Sequence, residues 1–501
     1  MIKTYTMGTT KSNNRDATAS HSETLNDRRK DNEQRLFSFI FPMYNKSLGK
    51  KIFSSRSNAI QNPMGLMVRL GTVLLLAGAV FLIFELQPAF EQLHLDRINS
   101  TWGYAFIVLT TSLLVFQIGF FLFNLYLYWR YKPIESVSDE ELPMCTVIVP
   151  AYNEGELVWK TLHSVANSDY PADKIQLIAI DDGSQDDTWS WMLKAKQELG
   201  DRLSIYQQPE NKGKRHALHR GFNLGIGEVF VTVDSDSIVK TDTLRNLVSP
   251  FVVKESCGAV AGNVQVLNNE RAILPRMLNV SFVFSFEFIR SAQGQLETVL
   301  CTPGALAAYR RDAVMACLPD WINQTFMGQP SDIGEDRAMT NMILKQGYHV
   351  MFQKNAYVLT NVPEDYTGLY KMFIRWERSN VRENIMMSKF VFKNFREGSK
   401  VGARLLFFNQ WLKIIMAYPF TILMLLFVIT QPVLFLSSTL FSILILTSIP
   451  VLFYARRYSS YESIWAYSYS LLYTFGLFWI TPYAIATAGR RGWLTRGLSA
   501  K

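Results

Sequence analysis

Cysteine and histidine are scarce in this chain, which has four cysteines and six histidines among its 501 residues. The cysteines are Cys145, Cys257, Cys301 and Cys317, and no two of them have the close spacing of a paired motif. Zinc sites and disulfide frameworks are usually built on such pairs. The sequence therefore argues against both and predicts free thiols in a reducing compartment.

We also expect no signal peptide, because the first long apolar run begins only near residue 67. Acidic residues are the minority charge, with 42 Asp and Glu against 51 Lys and Arg and a net charge of +9. A basic chain can bind nucleic acid, but no RNA- or DNA-binding motif accompanies this charge. We instead attribute it to segments that face anionic lipid, and we expect no nucleic-acid partner.

Long apolar runs are abundant, and 49% of the residues are hydrophobic. Residues 67–86 and 104–128 are each long enough to span a bilayer, 412–454 predicts two further spans, and 464–488 predicts a third. Lys and Arg are concentrated in residues 1–63 and just after the second span. The positive-inside rule therefore predicts a multi-pass protein of the plasma or inner membrane, with a cytoplasmic N-terminus and central domain.

Three C-terminal spans would leave the last arginines outside, against the same charge rule. A fourth crossing, or a segment that only dips into the membrane, would resolve this conflict.

The predicted organisation is a partly disordered cytosolic segment (1–63), two transmembrane helices (64–130), an α/β domain (143–365), amphipathic interface helices (366–411), three or four membrane segments (412–489) and a C-terminal tail (490–501). For 366–411, an ordinary surface helix of the globular domain remains the alternative.

Four predicted strands of the central region are each followed by polar side chains. Strand 146–149 precedes Tyr152 and Glu154, strand 176–180 precedes Asp181 and Asp182, strand 203–207 precedes Lys214 and Arg215, and strand 229–233 precedes Asp234 and Asp236. A helix predicted between the first two strands makes a βαβ unit, and hence a parallel sheet. Open α/β sheets bind ligands at the carboxyl ends of their strands. Carboxylates there suit Mg²⁺ or Mn²⁺ together with a phosphate.

This succession of motifs resembles the GT-A fold of family 2 glycosyltransferases. Further motifs follow in the order of the processive membrane synthases, above all hyaluronan synthases and nodulation-type chitin oligosaccharide synthases: Thr302-Pro303-Gly304, Glu335-Asp336, Arg375-Trp376, and Trp493 with Arg496. The resemblance covers roughly residues 146–496. It departs from the family at Met372, where a glutamine is expected, and at Leu494, where a glycine is expected.

The resemblance implies a role for each motif. The implied metal ligands are Asp236 and Asp234; the donor-binding residues are Tyr152, Glu154, Asp181, Asp182, Lys214, Arg215, Asp234, Arg375, Trp493 and Arg496; the acceptor-binding residues are Thr302, Pro303, Gly304, Glu335 and Trp376; and the general base is Asp336. Simpler roles stay open: a solvated surface for Lys214 and Arg215, a helix start for Asp336, and an interface anchor for Trp376.

We therefore predict a membrane-embedded inverting hexosyltransferase that polymerises sugars from UDP donors into a β-linked polysaccharide, such as hyaluronan or chitin, and exports it. Residues 330–336 resemble the chitin-oligosaccharide type, which favours UDP-GlcNAc; use of UDP-glucuronate beside it stays open. One alternative is a single-sugar transferase acting on a polyprenyl phosphate or another lipid. A second is a non-catalytic export or scaffold protein with a decayed transferase domain, although every expected acid is present. The expected partners are the UDP-sugar, the growing glycan and the bilayer, and the oligomeric state stays open.

Overall fold

The structure, a computed structural model, describes residues 63–99, 101–458 and 461–490. The predicted N-terminal segment, apart from its last residue, lies outside the described residues, as do Trp493 and Arg496. The helices and strands below follow in chain order.

The strands are β1 (Cys145–Ala151), β2 (Ile175–Asp181), β3 (Leu203–Gln207), β4 (Val229–Val233), β5 (Ser237–Val239), β6 (Cys257–Val266), β7 (Leu306–Arg310), β8 (Thr325–Phe326), β9 (Gln329–Pro330) and β10 (His349–Thr360). The helices are α1 (Pro63–Ile98), α2 (Gly103–Arg130), α3 (Glu156–Ala166), α4 (Thr188–Leu199), α5 (Lys214–Leu224), α6 (Thr243–Val253), α7 (Ile273–Phe282), α8 (Arg290–Gln295), α9 (Arg311–Ile322), α10 (Glu335–Lys345), α11 (Tyr366–Ser388), α12 (Val401–Thr430), α13 (Pro432–Tyr458), α14 (Trp465–Leu471) and α15 (Ile480–Ala486). A π-helical stretch, Val283–Ile289, joins α7 to α8.

Eight strands form one mixed sheet in the order β3-β2-β1-β4-β7-β6-β10-β5. The pairs β3–β2, β2–β1, β1–β4 and β6–β10 are parallel. Strand β7 runs antiparallel to both of its neighbours, and β5 runs antiparallel to β10. The predicted mostly parallel α/β sheet is confirmed, and the carboxyl ends of β1, β2, β3 and β4 share one edge.

Side chains of the central strands alternate between the two faces of the sheet. In β1, Val147 and Val149 pack into one hydrophobic cluster, and Ile148 packs into another. Helices α3, α4 and α6 contribute side chains to the first cluster, and α5, α9 and α10 contribute to the second. Because helices cover both faces of the sheet, side chains on both faces are apolar, and the sequence of each central strand is a continuous apolar run without polar alternation.

In the described part of the chain, three helices, α2, α12 and α13, are long and apolar enough to cross a membrane. In α1 the apolar stretch found among the described residues is Gly65–Phe81. Helices α12 and α13 are separated at Gln431, so the run 412–454 contains parts of two helices, as the sequence predicted. These helices expose many large apolar side chains, among them Val433 and Ile429 at 81% and 77%. A soluble surface rarely carries contiguous apolar area of this extent.

The segment 464–488, which the sequence predicted as a third C-terminal span, is not one continuous helix. It consists of α14, a π-helical turn (Leu472–Gly476) and α15, each much shorter than the roughly 20 residues that a spanning helix needs. The end of this segment returns to α11. The Nε of Arg378 donates to Thr487 Oγ1 at 3.0 Å, and Arg382 donates to the carbonyls of Ala488 and Arg490 at 2.6 and 2.7 Å.

Helix α11 occupies the first half of the region predicted as amphipathic interface helices, and its polar side is buried inside the protein. Arg378, Arg382 and Glu383 are all less than 5% exposed. The helix packs against α10, α12 and α15. These hydrophilic residues are therefore internal, because they bond to side chains and backbone groups of neighbouring segments, such as Thr487, the Ala488 carbonyl and Asn341.

Candidate active site

One cavity of about 540 Å³ lies at the carboxyl edge of the sheet. The predicted residues that line it are Tyr152, Asp182, Lys214, Asp234, Asp236, Pro303, Gly304, Glu335, Asp336, Arg375 and Trp376. They come from segments far apart in sequence, which the parallel arrangement of β1, β2 and β4 brings to the same edge.

Lys214 lies at the start of α5 and forms an ion pair with Asp234, which directly follows β4. Its ammonium is also 3.5 Å from Glu335 Oε1. Burial disfavours the charged ammonium, but the nearby Asp234 and Glu335 carboxylates outweigh it and raise the pKa of Lys214 above its usual range. The cavity thus has a permanent cation held between acids from two segments.

Asp182 holds the turn that leads into α5. Its Oδ1 accepts from Gln208 Nε2 at 2.8 Å and from the Lys212 amide at 3.1 Å, and its Oδ2 accepts from the Gly213 amide at 2.8 Å. Burial raises the pKa of this carboxyl to about 6, although the two amide hydrogen bonds favour its ionised form. The Asp182 carboxylate therefore holds the backbone of residues 212 and 213 in place and also lines the cavity.

Asp236 lines the cavity beside the amino end of β5. Its Oδ1 accepts from the hydroxyls of Ser237 and Thr360, both at 3.3 Å. Asp236 therefore presents a carboxylate at the cavity wall, two residues after Asp234.

Asp336 is the second residue of α10 and faces the loop 302–305. Its Oδ2 accepts from the Gly304 amide at 3.2 Å, and the Cys301 thiol lies 3.7 Å from the same oxygen. Burial raises the pKa of the Cys301 thiol to about 11, and the Asp336 charge adds to this effect, so the thiol stays protonated at neutral pH. Asp336 is thus an oriented carboxylate at the cavity wall.

The start of α10 is fixed by a close contact with α11. Gly334 has a left-handed conformation with φ of 77° and ψ of 34°. A β-carbon at this position would collide with Ser379. Only glycine tolerates both conditions, so the approach of α11 determines where Glu335 and Asp336 point.

Arg375 and Trp376 reach the cavity from α11. The indole of Trp376 is 38% exposed, with Phe282 and Phe373 ring centres 6.1 and 5.6 Å away. Met372, which stands where the family has a glutamine, is buried and also lines the cavity. A methionine there supplies apolar surface in place of an amide.

Among the predicted site residues that the structure describes, four do not line the cavity: Glu154, Asp181, Arg215 and Thr302. Asp181 is fully buried and accepts from the Ser184 amide and from Gln207 Nε2. Arg215 donates to the Trp321 carbonyl and to Gln324 at 2.7 and 3.0 Å, behind the cavity. Thr302 bonds with the hydroxyls of Tyr309 and Thr340. These three groups stabilise the fold around the site.

Sequence reasoning missed several cavity residues, notably Phe282, Phe286 and Arg290 on the α7–α8 segment, and Arg337 and Glu377. No motif marks Phe282, Phe286 or Arg290 in the sequence. The detectable signal is the aromatic run Phe282–Phe288, whose alternation breaks helical periodicity and coincides with the π-helical stretch. Such stretches often occur at functional sites.

A mixed α/β sheet with carboxylates and cations around one cavity at its carboxyl edge agrees with the GT-A fold that the sequence motifs predicted. Residues 143–379 match the family model described as glycosyltransferase-like family 2. This part of the chain is therefore similar to family 2 glycosyltransferases.

Relatives of known activity support this classification. The chain is 32% identical to an N-acetylglucosaminyltransferase of Rhizobium meliloti over 50% of this chain and 59% of the relative. It is 29% identical to a hyaluronan synthase of Streptococcus pyogenes over 59% of this chain and 68% of that protein. The chain thus covers less than two thirds of the first of these relatives. The predicted resemblance to both groups of enzymes is confirmed.

Among solved structures, a mannosyltransferase from Pyrobaculum calidifontis in complex with GDP-Man and Mn²⁺ aligns over 72% of this chain and 97% of its own. The identity is 22% and the TM-score is 0.48.

Proposed function

We propose that this protein is a membrane-embedded inverting glycosyltransferase that polymerises sugars from UDP-activated donors into a β-linked polysaccharide. The observation that carries the proposal is the meeting of Asp182, Asp234, Asp236 and Asp336 with Lys214 around one cavity. The similarity to an N-acetylglucosaminyltransferase and a hyaluronan synthase supports UDP-GlcNAc as a donor.

The donor occupies the end of the cavity formed by β1, β2 and β4. Asp182 and Tyr152 face the uridine, and Lys214 and Arg375 supply positive charge for the diphosphate. Trp493 and Arg496, the remaining donor residues of the motif set, belong to the tail beyond residue 490.

A divalent cation fits the donor set at this end. Mg²⁺ and Mn²⁺ at nucleotide sites are typically held by one or two carboxylates, and substrate phosphates complete the coordination. Asp236 and Asp234 would provide those carboxylates, because both follow β4 closely and both line the cavity. The cation would supply charge stabilisation for the leaving diphosphate.

Asp336 serves as the general base. The Gly304 amide and the Arg337 amide, at 3.2 and 2.7 Å from its two oxygens, fix the orientation of the carboxylate. Asp336 accepts the proton of the acceptor hydroxyl while that oxygen attacks the anomeric carbon and UDP leaves. One base and one displacement convert an α-linked donor into a β-linked product.

Trp376 stacks on the terminal sugar of the growing chain, because the flat indole is half exposed at the cavity wall.

The apolar helices that flank the domain provide the route across the membrane. Two crossings before the domain and two after it, α12 and α13, leave both chain ends on the cytoplasmic side. The contacts of Thr487, Ala488 and Arg490 with α11 support this topology, in which α14 and α15 only dip into the bilayer.

The test is to incubate the purified protein in lipid nanodiscs with radiolabelled UDP-sugars, singly and in pairs, and to size the products. We expect UDP release and a polymer that a β-specific glycosidase degrades. A lipid carrying one sugar would identify the single-sugar transferase instead. An absence of both UDP release and product with every donor would indicate a non-catalytic export or scaffold protein. The Asp336→Asn protein is the matched blank.

A further inference from the structure

The π-helical stretch Val283–Ile289 contacts both the cavity and a membrane helix. Its Phe286 lines the cavity. Phe284 and Phe288 pack elsewhere, and the ring centre of each lies 5.8 Å from the ring centre of Phe453 on α13. The position of this stretch therefore depends on α13 and affects the cavity wall.

Glu287, in the same stretch, is a fully buried acidic residue. The Nε of Arg457, in the last turn of α13, donates to Glu287 Oε2 at 3.0 Å, and the Tyr458 hydroxyl donates to Glu287 Oε1 at 2.6 Å. A buried carboxylate is costly unless it is paired and hydrogen-bonded, and these two groups supply both the opposite charge and a hydrogen bond. The end of α13 thus holds the π-helical stretch through its carboxylate.

The same end of α13 is also bonded to the sheet. Arg457 Nη2 donates to the Tyr357 hydroxyl of β10 at 3.2 Å, and Gln265 Nε2 of β6 donates to the Tyr458 hydroxyl at 2.9 Å. Gln265 directly follows Val264, which lines the cavity. The last two residues of α13 therefore join the π-helical stretch to the sheet that carries the site.

Arg290 is the first residue after the π-helical stretch, and it lines the cavity beside the proposed base. Its Nη1 donates to the Cys301 carbonyl at 2.5 Å, and the Cys301 thiol lies 3.7 Å from Asp336 Oδ2. Burial lowers the pKa of the Arg290 guanidinium, and the Asp336 charge acts in the opposite direction. The two opposite charges attract each other, so the position of Arg290 affects the surroundings of Asp336.

We propose that Glu287 is a positioning residue for sugar transfer: bound to Arg457 and Tyr458, it keeps the stretch in its π-helical form and thereby keeps Arg290 beside Asp336. A π-turn contains one more residue than an α-helical turn, so a return to a regular α-helix would rotate the residues that follow. One residue of an α-helix corresponds to a rotation of about 100°, which would carry Arg290 away from the cavity. The inference rests on the proposed function, because Glu287 acts on the transfer site alone.

The experiment measures sugar transfer as UDP release by the full-length protein in nanodiscs at saturating UDP-GlcNAc. Wild type is compared with Glu287→Gln, with Arg290→Gln and with the variant that carries both changes. Glutamine keeps the size of Glu287 and an acceptor for the Tyr458 hydroxyl, and it removes the charge. Arg456→Gln is the matched control, because it removes a charge from the same turn of α13 and its side chain is exposed. UDP binding and melting temperature are measured on every variant.

We expect Glu287→Gln to lose about 10- to 100-fold in transfer rate, because a misplacement of about 1 Å can cost on the order of a hundredfold. Arg290→Gln should lose a similar factor, and the double variant should be no slower than Arg290→Gln, since Glu287 acts through Arg290. UDP affinity should match wild type throughout, as should the rate of Arg456→Gln. A wild-type rate in Glu287→Gln overturns the proposal. So do losses that multiply in the double variant, because a merely structural role of Glu287 would be independent of Arg290.

A milder variant carries the test if Glu287→Gln does not fold. Tyr458→Phe removes one hydrogen bond to Glu287 and leaves the ion pair with Arg457 in place. It should lose about two- to tenfold in rate, the usual effect of one hydrogen bond, and this loss should vanish when Arg290→Gln is already present. A loss that persists in that background overturns the proposal.

Failure of the proposed function gives a different result, because a second measurement needs no turnover. Hydrogen–deuterium exchange, read by mass spectrometry on peptides covering residues 273–295, should be faster in Glu287→Gln than in wild type and Arg456→Gln. Equal exchange in the three proteins overturns the hold of α13 on the stretch. If wild type releases no UDP from any UDP-sugar, the transferase activity is refuted, and the exchange rates still decide whether Glu287 fixes the π-helical form.

Discussion

Ser379 of α11 fills the space that a β-carbon on Gly334 would need. This contact joins the helix that carries Arg375 and Trp376 to the first turn of the helix that carries Asp336. The proposed acceptor-binding residues and the proposed base are therefore positioned by one packing contact, and they cannot shift independently.

Gly334→Ala tests this coupling. The new methyl group must displace α11 or the start of α10, and misplacing a base by about 1 Å can cost on the order of a hundredfold in rate. We expect a loss of that order in sugar transfer, measured as UDP release. Gly328→Ala is the matched control, because Gly328 has a similar φ of +78° with open space around it. It should lose only about 1–2 kcal/mol of stability from left-handed strain and keep its transfer rate. Equal rates in the two variants would contradict the coupling.

Asp236→Asn should nearly abolish turnover and UDP affinity together, because the amide is a poor ligand for a hard divalent cation. Chelation of metal by EDTA should have the same effect on wild type, and added Mg²⁺ or Mn²⁺ should restore activity. UDP binding is followed by calorimetry and turnover by UDP release. Full activity of wild type in excess EDTA would refute a metal held by Asp236.

Asp336→Asn keeps the size of the side chain and removes the proton acceptor. Transfer should fall by roughly 10²–10⁴-fold, the usual contribution of a positioned base, while UDP-sugar binding survives. Both are measured on the same preparation. If UDP-sugar binding is lost instead, Asp336 is a donor ligand and the assignment as base is wrong.

Trp376→Ala should shorten the polymer more than it slows hydrolysis of the UDP-sugar by water, because stacking on the chain end contributes on the order of 1 kcal/mol. Trp376→Phe should restore most of the length. Arg375→Ala should lower both reactions, since both need the leaving group stabilised. Product size is read by gel filtration. Unchanged length in Trp376→Ala would leave Trp376 as a membrane-interface anchor only.

Asp182 should give donor binding a pH dependence. The pKa of Asp182 in the folded protein is about 6 and its ordinary value is 3.8, so the folded state binds the proton more tightly than the unfolded state. The contribution of this carboxyl to the free energy of unfolding therefore decreases as the pH rises from about 4 to about 6. Below pH 6 the protonated group holds the Lys212 and Gly213 amides less well. We expect UDP-GlcNAc affinity to decline as the pH falls through 6.

Asp182→Asn should weaken UDP-GlcNAc binding at neutral pH and remove the step near pH 6. UDP-GlcNAc is the suitable probe because, unlike UDP, it has no phosphate group that titrates in this range. A step of unchanged size and position in Asp182→Asn would assign the titration to another group.

Much of the fold was predictable because strands and apolar helices are marked by residue patterns within short stretches of the sequence. The apolar runs of β1 to β4 and the polar residues after them identified the sheet edge, and β3 was predicted with its observed bounds, 203–207. The end of α11 and the segment 464–488 were not predictable in this way. Buried Arg378 and Arg382 look like surface residues in the sequence, and the interruptions between α14 and α15 have no proline or charge to mark them.

The sequence by itself determined the class of domain, the positions of the carboxylates and the apolar helices on both sides, because each depends on residue type and spacing along the chain. Only the tertiary structure decided which of these residues share the cavity. It placed Asp181, Arg215 and Thr302 in supporting hydrogen bonds and brought Arg290 beside Asp336. The physical reason is that a side chain's partners come from segments distant in sequence, and packing alone determines whether a polar group meets the backbone, another side chain or a ligand.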